Sequence, residues 1–321
     1  MARVVKEGVL DLKVKEFIEQ KVTEIKDTVG SGRAISALSG GVDSSTCTVL
    51  AHRALGDRLD VIYIDDGLMR ENEDRYVSGA FSDLGIQVEV INASSDFFSA
   101  LRGLKDPEEK RKAFRNKFYE VFGEAVLNSK AQYLIQGTIA ADIIETKGGV
   151  KTQHNILEQI GIDSEKGYGF RVIEPLKELF KYQVREVAKA LGLPKELYKR
   201  MPFPGPGLCT RVIGEVTEER VRKVSKATQI VEDEILVLEP FQAFAVLLSD
   251  KGTGVKEGKR NFGEIMIIRC VESRDAMTAE STEVPWKILN RIAERITEEI
   301  PSVTRVAYEI TPKPPATIEY I

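Results

Sequence analysis

Short apolar runs alternate with helix-periodic segments through the first half of this sequence, and that alternation leaves few folds open. Val9, Leu10, Val14, Phe17, Ile18, Val22 and Ile25 recur at helical spacing over residues 8–29. The next apolar stretch, Arg33-Ala-Ile-Ser-Ala-Leu38, reads as a buried strand that runs into a tight turn at Ser39-Gly40-Gly41. A helix over 44–55, a second buried strand over Leu59–Ile64, a helix near 72–84 and a strand over Ile86–Ile91 follow. A charged helix over 106–128, a strand over Gln132–Gln136 and a helix near 138–145 extend the series. Strand–helix–strand units imply right-handed crossovers, so the expected class is α/β, an open parallel sheet with helices on both faces.

The pattern then fails twice. Residues 147–170 are rich in glycine and polar residues with weak periodicity, and a segment of that length reads as a lid. Order returns with a short strand and a helix over Leu176–Leu191. Met201-Pro-Phe-Pro-Gly-Pro-Gly-Leu208 can continue neither a helix nor a central strand, so it marks a junction between residues 1–203 and 204–321. Beyond it, Val221, Val224, Ile230, Val231, Ile235 and Leu238 mark a long helix. Strands over 241–248 and 264–271, a helix over 285–299 and a strand over 303–310 complete a small α+β domain.

Composition narrows the chemistry. With 321 residues, two domains of about 150 residues are expected. The 46 basic and 50 acidic residues leave a net charge of −4, which argues against a nucleic-acid coat. No apolar run is long enough to span a membrane, and the start MARVVKEGVLDLKVKEF lacks the apolar block of a signal peptide. Cys47, Cys209 and Cys270 are scattered and form no CxxC pair, which points to a reducing cytoplasm rather than a disulfide framework or a zinc site. His52 and His154 are the two histidines, so catalysis must draw on carboxylates, backbone amides and basic side chains.

Ser39-Gly40-Gly41-Val42-Asp43-Ser44-Ser45 sits between the first strand and the following helix. Amides at a helix start are unpaired and carry the positive end of its dipole, the glycines admit close approach, and three serines add hydroxyl donors. Taken alone, this could also be a glycine turn capped by Asp43 or Ser44. The segment resembles the pyrophosphate loop of the N-type ATP pyrophosphatases, which cleave ATP between its α and β phosphates. No GxxxxGK[ST] loop occurs. The resemblance implies that Ser39 to Ser45 bind ATP phosphates and that Asp43 helps hold Mg2+.

Further segments sharpen the resemblance. Ile64-Asp65-Asp66-Gly67-Leu68-Met69-Arg70 and Leu134-Ile135-Gln136-Gly137-Thr138 each close a strand, where open α/β sheets bind ligands. Glu174-Pro175-Leu176-Lys177-Glu178-Leu179-Phe180-Lys181 is read as opening a helix with Lys177 and Lys181 on one face. With the Pro-Gly junction and the terminal Lys313-Pro-Pro-Ala-Thr-Ile-Glu319, these five motifs in order are similar to the synthetase portion of the GMP synthetase family, from about residue 10 to the end. That family adenylylates xanthosine 5′-monophosphate (XMP), releases pyrophosphate, and lets ammonia displace AMP to give GMP.

The resemblance carries roles to individual positions. Asp43, Ser44 and Lys181 are implied as catalytic, with Lys181 on pyrophosphate; Asp65, Gly67 and Thr138 join the loop in holding ATP. Arg111, Gln242, Lys313 and Glu319 are implied as XMP contacts, although Arg111 also reads as one member of a surface ion-pair helix. His154 falls in the lid, and His52 reads as packing or surface. The family's Gly-Asp before an arginine is replaced here by Gly254-Val-Lys-Glu-Gly-Lys-Arg260, in the stretch read as a loop after the first small-domain strand.

Larger members of the family begin with a glutamine amidotransferase domain. This chain starts near the first pyrophosphatase helix and has no cysteine–histidine pair suited to that chemistry. The expectation is a two-subunit enzyme, with a separate glutamine amidotransferase subunit supplying ammonia and a homodimer built on the C-terminal module. NAD synthetase shares the loop but not the terminal motif, and tRNA-thiolating pyrophosphatases favour paired cysteines. A catalytically dead scaffold would have lost part of the loop.

Overall fold

The structure, a computed structural model, describes residues 2–140, 142–143, 171–256, 258–274 and 276–321. The lid expected over 147–170, with His154, lies outside these residues. The chain groups into two compact units. One comprises Met1–Asp65, Glu73–Asn92 and Phe118–Arg200; the other comprises Asp66–Asn72, Ala93–Lys117 and Met201–Ile321. The Pro-Gly run therefore marks where the chain leaves the first unit for the last time, while two earlier segments already belong to the second.

The first unit is built on β1 (Ala34–Leu38), β2 (Leu59–Asp65), β3 (Glu89–Asn92), β4 (Tyr133–Ile135) and β5 (Arg171–Ile173) in the order β3-β2-β1-β4-β5. Every pairing is parallel. Ala34, Ile35 and Leu38 of β1 and Val61, Ile62, Tyr63 and Ile64 of β2 are buried, as continuous apolar runs in a covered parallel sheet must be. Helices α1 (Ala2–Val29), α2 (Val42–Leu55) and α3 (Glu73–Ser82) contribute Ile25, Leu50 and Phe81 to the same core. The chain moves outward from β1 to β3 and then returns to β4, so the topological switch point lies between β1 and β4.

In the second unit, α4 (Ser94–Leu101) buries Phe97 and Leu101, and α5 (Pro107–Asn128) begins within it. After the α6 and α7 helices of the first unit (Lys181–Ala190 and Lys195–Tyr198), α8 (Glu218–Ile235) starts at Thr217, whose hydroxyl accepts from the Arg220 amide at 3.3 Å. Strands β6 (Gln242–Lys256) and β7 (Lys259–Glu272) form a long antiparallel hairpin; β8 (Glu280–Ser281) and the parallel β9 (Val303–Glu309) follow β7, with α9 (Trp286–Glu299) between them. Phe244, Val246, Val271, Ala279 and Ile318 share one core, so the C-terminal tail is anchored by its own apolar residue.

Three expectations need correction. The helix expected from Leu176 begins at Lys181, because Phe180 is extended (φ −83°, ψ 161°) and its amide donates to Gln183 Oε1 at 2.9 Å. Lys177 lies in the preceding turn, closed by Leu179 N donating to Leu176 O at 2.8 Å, so Lys177 and Lys181 share no helix face. Gly254–Lys256 and Lys259–Arg260 are strand and not loop: Val255 pairs with Arg260 and Lys256 with Lys259 across the hairpin. Glycines hide this strand from sequence patterning, yet they permit close packing, since a Cβ on Gly254 would stand 2.9 Å from Thr304 Cβ. The short helix α4 was not foreseen.

Candidate functional site

The loop Ser39–Gly41 leaves β1 at its carboxyl end and enters α2 at the switch point. Gly41 precedes α2 in an extended conformation and offers no side-chain cap, so the helix's first amides stay available. Gly40 has φ 71°, in the region that favours glycine. Ser39 Oγ and Ser44 Oγ lie 2.9 Å apart, and Ser44 Oγ also donates to Gly41 O at 3.1 Å, folding both hydroxyls into the turn. Val42 and Ser45 are buried, and Ser45 Oγ has no partner among the described residues.

Asp43 and Lys181 meet here. Lys181 Nζ donates to Asp43 Oδ2 at 2.5 Å, from the first residue of α6. Asp43 Oδ1 is buried without a hydrogen-bond partner among the described residues. Burial pushes the Asp43 carboxyl above its ordinary value; Lys181 acts against this, and Arg185, one turn further along α6, does so more weakly. Half-exposed Lys181 leaves its remaining ammonium protons available for an anion.

The end of β4 closes the other side. A Cβ on Gly137 would stand 3.0 Å from Ser44 N and 3.1 Å from Asp43 C, so β4 approaches the loop backbone directly. Thr138 Oγ1 donates to Glu174 Oε1 at 2.6 Å and accepts from Gln136 Nε2 at 3.1 Å. Asp65 ends β2 opposite Asn92 of β3. Gly67 belongs to the second unit, where a Cβ would stand 2.8 Å from Ser94 Cβ. The first unit thus assembles Ser39 to Ser45, Thr138 and Lys181.

The second unit gathers two of the four residues implied for the nucleotide substrate. Gln242 Nε2 donates to Glu319 Oε1 at 2.6 Å, and Arg211 clamps the same carboxylate through Nε to Oε2 at 3.0 Å and Nη2 to Oε1 at 2.8 Å. Arg211 is 1% exposed, its guanidinium lies 4.0 Å from the Phe244 ring centroid, and its Nη1 has no hydrogen-bond partner among the described residues. Lys313 instead donates to Ala276 O at 2.8 Å. Arg111 lies 3.4 Å from Glu108, one helical turn away on α5, and is half-exposed. Arg269, fully buried, holds the tail by donating to Ile318 O and Thr317 O at 3.0 and 2.9 Å.

Sequence reasoning missed Arg211, whose nearest signal was the Pro-Gly run just before it. It also missed Arg200 and Glu73. Arg200 Nη1 donates to Gly40 O at 3.2 Å, and the Arg200 guanidinium grips Glu73 through Nη1–Oε1 and Nη2–Oε2 contacts of 2.5 Å each.

A glycine- and serine-rich loop on the switch point of a five-stranded parallel sheet, with a lysine facing the aspartate that follows it, defines the class of the first unit. Residues 12–206 match the NAD synthase family profile. Residues 228–320 match the profile described as the GMP synthase C terminal domain. A glutamine-hydrolyzing GMP synthase subunit from Pyrococcus furiosus is 53% identical over 309 residues, covering 95% of this chain and 97% of its own. The protein of the same name from Archaeoglobus fulgidus is 53% identical over 308 residues, covering 96% and 99%. A solved NH3-dependent NAD synthetase from Campylobacter jejuni aligns with 70% of this chain and 87% of its own at 16% identity and a TM-score of 0.45. The chain belongs to the family of these GMP synthase subunits.

Proposed function

We propose that this chain binds ATP on the Ser39–Ser45 loop, adenylylates XMP with release of pyrophosphate, and lets ammonia displace AMP to give GMP. The observation that carries the reading is the Lys181–Asp43 contact beside uncapped amides of α2. In this reading the loop amides and the Ser39 and Ser44 hydroxyls hold the departing pyrophosphate, and Lys181 adds a positive charge to it. Gln242, Arg211 and Glu319 form the polar cluster offered to XMP by the second unit, with Arg111 and Lys313 as further cationic candidates. Positioning and charge neutralisation of this kind supply about 7–11 kcal/mol without a histidine base.

Mg2+ fits this site. Asp43 Oδ1 is a buried carboxylate oxygen with no partner among the described residues, and such an ion is ordinarily shared between one or two carboxylates and the substrate's phosphates. Among the described residues no cluster of three or more His, Cys, Asp or Glu side chains stands elsewhere as a cage. When bound, Mg2+ neutralises phosphate charge. Asp43 would hold it, while Lys181 keeps the other carboxylate oxygen engaged.

Ammonia is proposed to come from a separate glutamine amidotransferase subunit. The second unit exposes Leu236, Val237 and Trp286, which suits a homodimer. No helix of the described residues is long and apolar enough to cross a membrane, and a cytoplasmic location accords with the free, buried cysteines. The test is direct. The purified chain is incubated with ATP, Mg2+, XMP and either ammonium or glutamine, and GMP and pyrophosphate are measured. Stoichiometric GMP and pyrophosphate with ammonium, and none with glutamine until the amidotransferase subunit is added, is the expected result. Turnover of nicotinate adenine dinucleotide in place of XMP would refute it.

A further inference from the structure

The carbonyl of Gly40 points away from the loop's serines and into a side-chain clamp. Arg200 Nη1 donates to it at 3.2 Å. The guanidinium is itself immobilised: both terminal nitrogens contact the Glu73 carboxylate at 2.5 Å, and its carbon lies 5.3 Å from the Tyr76 ring centroid. Glu73 is 3% exposed, in the first turn of α3, and the Arg200 side chain is 17% exposed. A bidentate pair this well covered is rigid, and its fork geometry is specific to arginine.

The consequence follows from peptide geometry. In a trans peptide the C=O and the following N–H point in opposite directions. Holding Gly40 O on Arg200 therefore turns the Gly41 N–H to the other side, where it donates a long hydrogen bond to Ser39 Oγ at 3.4 Å, beside the Ser44 hydroxyl. This peptide joins two glycines, so no Cβ on either side resists its rotation. Rotated by half a turn, it would present a carbonyl lone pair to an anion where it now presents a donor. A donor aimed in advance at developing negative charge is worth far more than one that must reorient. Arg200 and Glu73 also occupy the space into which a side chain at position 40 would project.

We propose that Arg200, held by Glu73, is a positioning residue that locks the Gly40–Gly41 peptide with its N–H directed at the pyrophosphate portion of ATP. The inference rests on the ATP reading above. Arg200 acts through the peptide and touches no substrate. Losing the lock weakens pyrophosphate and ATP together and leaves XMP binding alone, a split that a general loss of structure does not produce.

The experiment begins with the wild-type chain, ammonium, ATP, Mg2+ and XMP. Absence of pyrophosphate release there would overturn the ATP reading itself, independently of the lock. With the active wild type as reference, Arg200→Lys keeps the charge but cannot span Gly40 O and both Glu73 oxygens, and Glu73→Gln removes the holder's charge at constant shape. Each is expected to raise the KM for ATP and the inhibition constant of pyrophosphate about tenfold or more, with the KM for XMP within about twofold of wild type. Melting temperature and circular dichroism identify the folded variants, and Glu73→Gln reads the lock if Arg200→Lys does not fold. Unchanged ATP and pyrophosphate constants in a folded variant, or an equal rise for XMP, would overturn the proposal.

Discussion

Lys181 Nζ stands 2.5 Å from Asp43 Oδ2, joining the first residue of α6 to the first turn of α2 across 138 positions of sequence. The contact engages one carboxylate oxygen and leaves the other buried and, among the described residues, unpartnered. Such an arrangement sacrifices stability for readiness, because a charge that is incompletely paired in a dry place costs free energy until a ligand arrives.

Asp43→Asn tests that cost. Burial raises the Asp43 carboxyl, so over a range of pH the folded chain still holds a proton that the unfolded chain has lost. Stability contributed by this group therefore falls as pH rises through that range. The asparagine variant is expected to melt above wild type at pH 7–8 in the absence of ligand, with the gain fading as pH falls towards about 4. Its GMP formation is expected to drop about a hundredfold or more. Calorimetry across pH reads the first effect, and a lower melting temperature for the variant at pH 8 would contradict the burial argument.

Gly137→Ala should separate packing from chemistry. Its new methyl meets Ser44 N and Asp43 C, both main-chain atoms that cannot swing aside. The expected result is a loss of about 1–3 kcal/mol in stability, with at least a tenfold loss of turnover. Urea denaturation and the GMP assay together check it. Wild-type activity in the alanine variant would show that β4 can retreat from the loop.

Arg211→Ala probes the second unit. Removing the guanidinium strips Glu319 of two hydrogen bonds and takes a cation from the rings of Phe203 and Phe244. The partner carboxylate is then left partly buried and held by Gln242 alone, for an expected loss of about 3–5 kcal/mol. A loss below about 1 kcal/mol in urea denaturation would mean that the pair is solvated.

The cysteines give a chemical prediction. Cys47, Cys209 and Cys270 are buried and free, and burial pushes the thiols of Cys209 and Cys270 up to about 12 and about 11 and that of Cys47 well above its ordinary value. Iodoacetamide at pH 8 is expected to label none of the three in the native chain and all three in denaturant, with ammonium-dependent activity unaffected. Rapid native labelling, read by mass spectrometry, would point to opening of these cores.

The conformation of the Ser39–Ser45 segment was legible beforehand because it is local: strand, glycines, serines and helix are consecutive, and the turn between them needs no distant partner. The parallel sheet was legible for the same reason, through uninterrupted apolar runs such as Val61–Ile64. Arg200 and Glu73 were not. They lie 127 residues apart, and an arginine before the Pro-Gly run or a glutamate in a first helical turn reads as solvated when its partner is unknown. The start of α6 escaped because Glu174–Phe180 has helical composition but is turned by Pro175 and the extended Phe180. The outer half of the β6–β7 hairpin escaped because polar residues and glycines conceal a strand whose pairing comes from backbone bonds.

The interleaving of the two units bears on synthesis as well as on structure. Segments 66–72 and 93–117 leave the ribosome long before residues 201–321, with which they share a unit. Leu68 O, Gly103 N and Lys110 Nζ find their partners only in Leu208, Glu215 and Val212. At roughly 5–20 residues per second, Gly103 and Lys110 wait on the order of ten seconds for those partners. A nascent chain of this protein thus carries these unmatched polar groups throughout the synthesis of residues 118–200, and a gene cut at the Pro-Gly run would yield an N-terminal fragment that never pairs them.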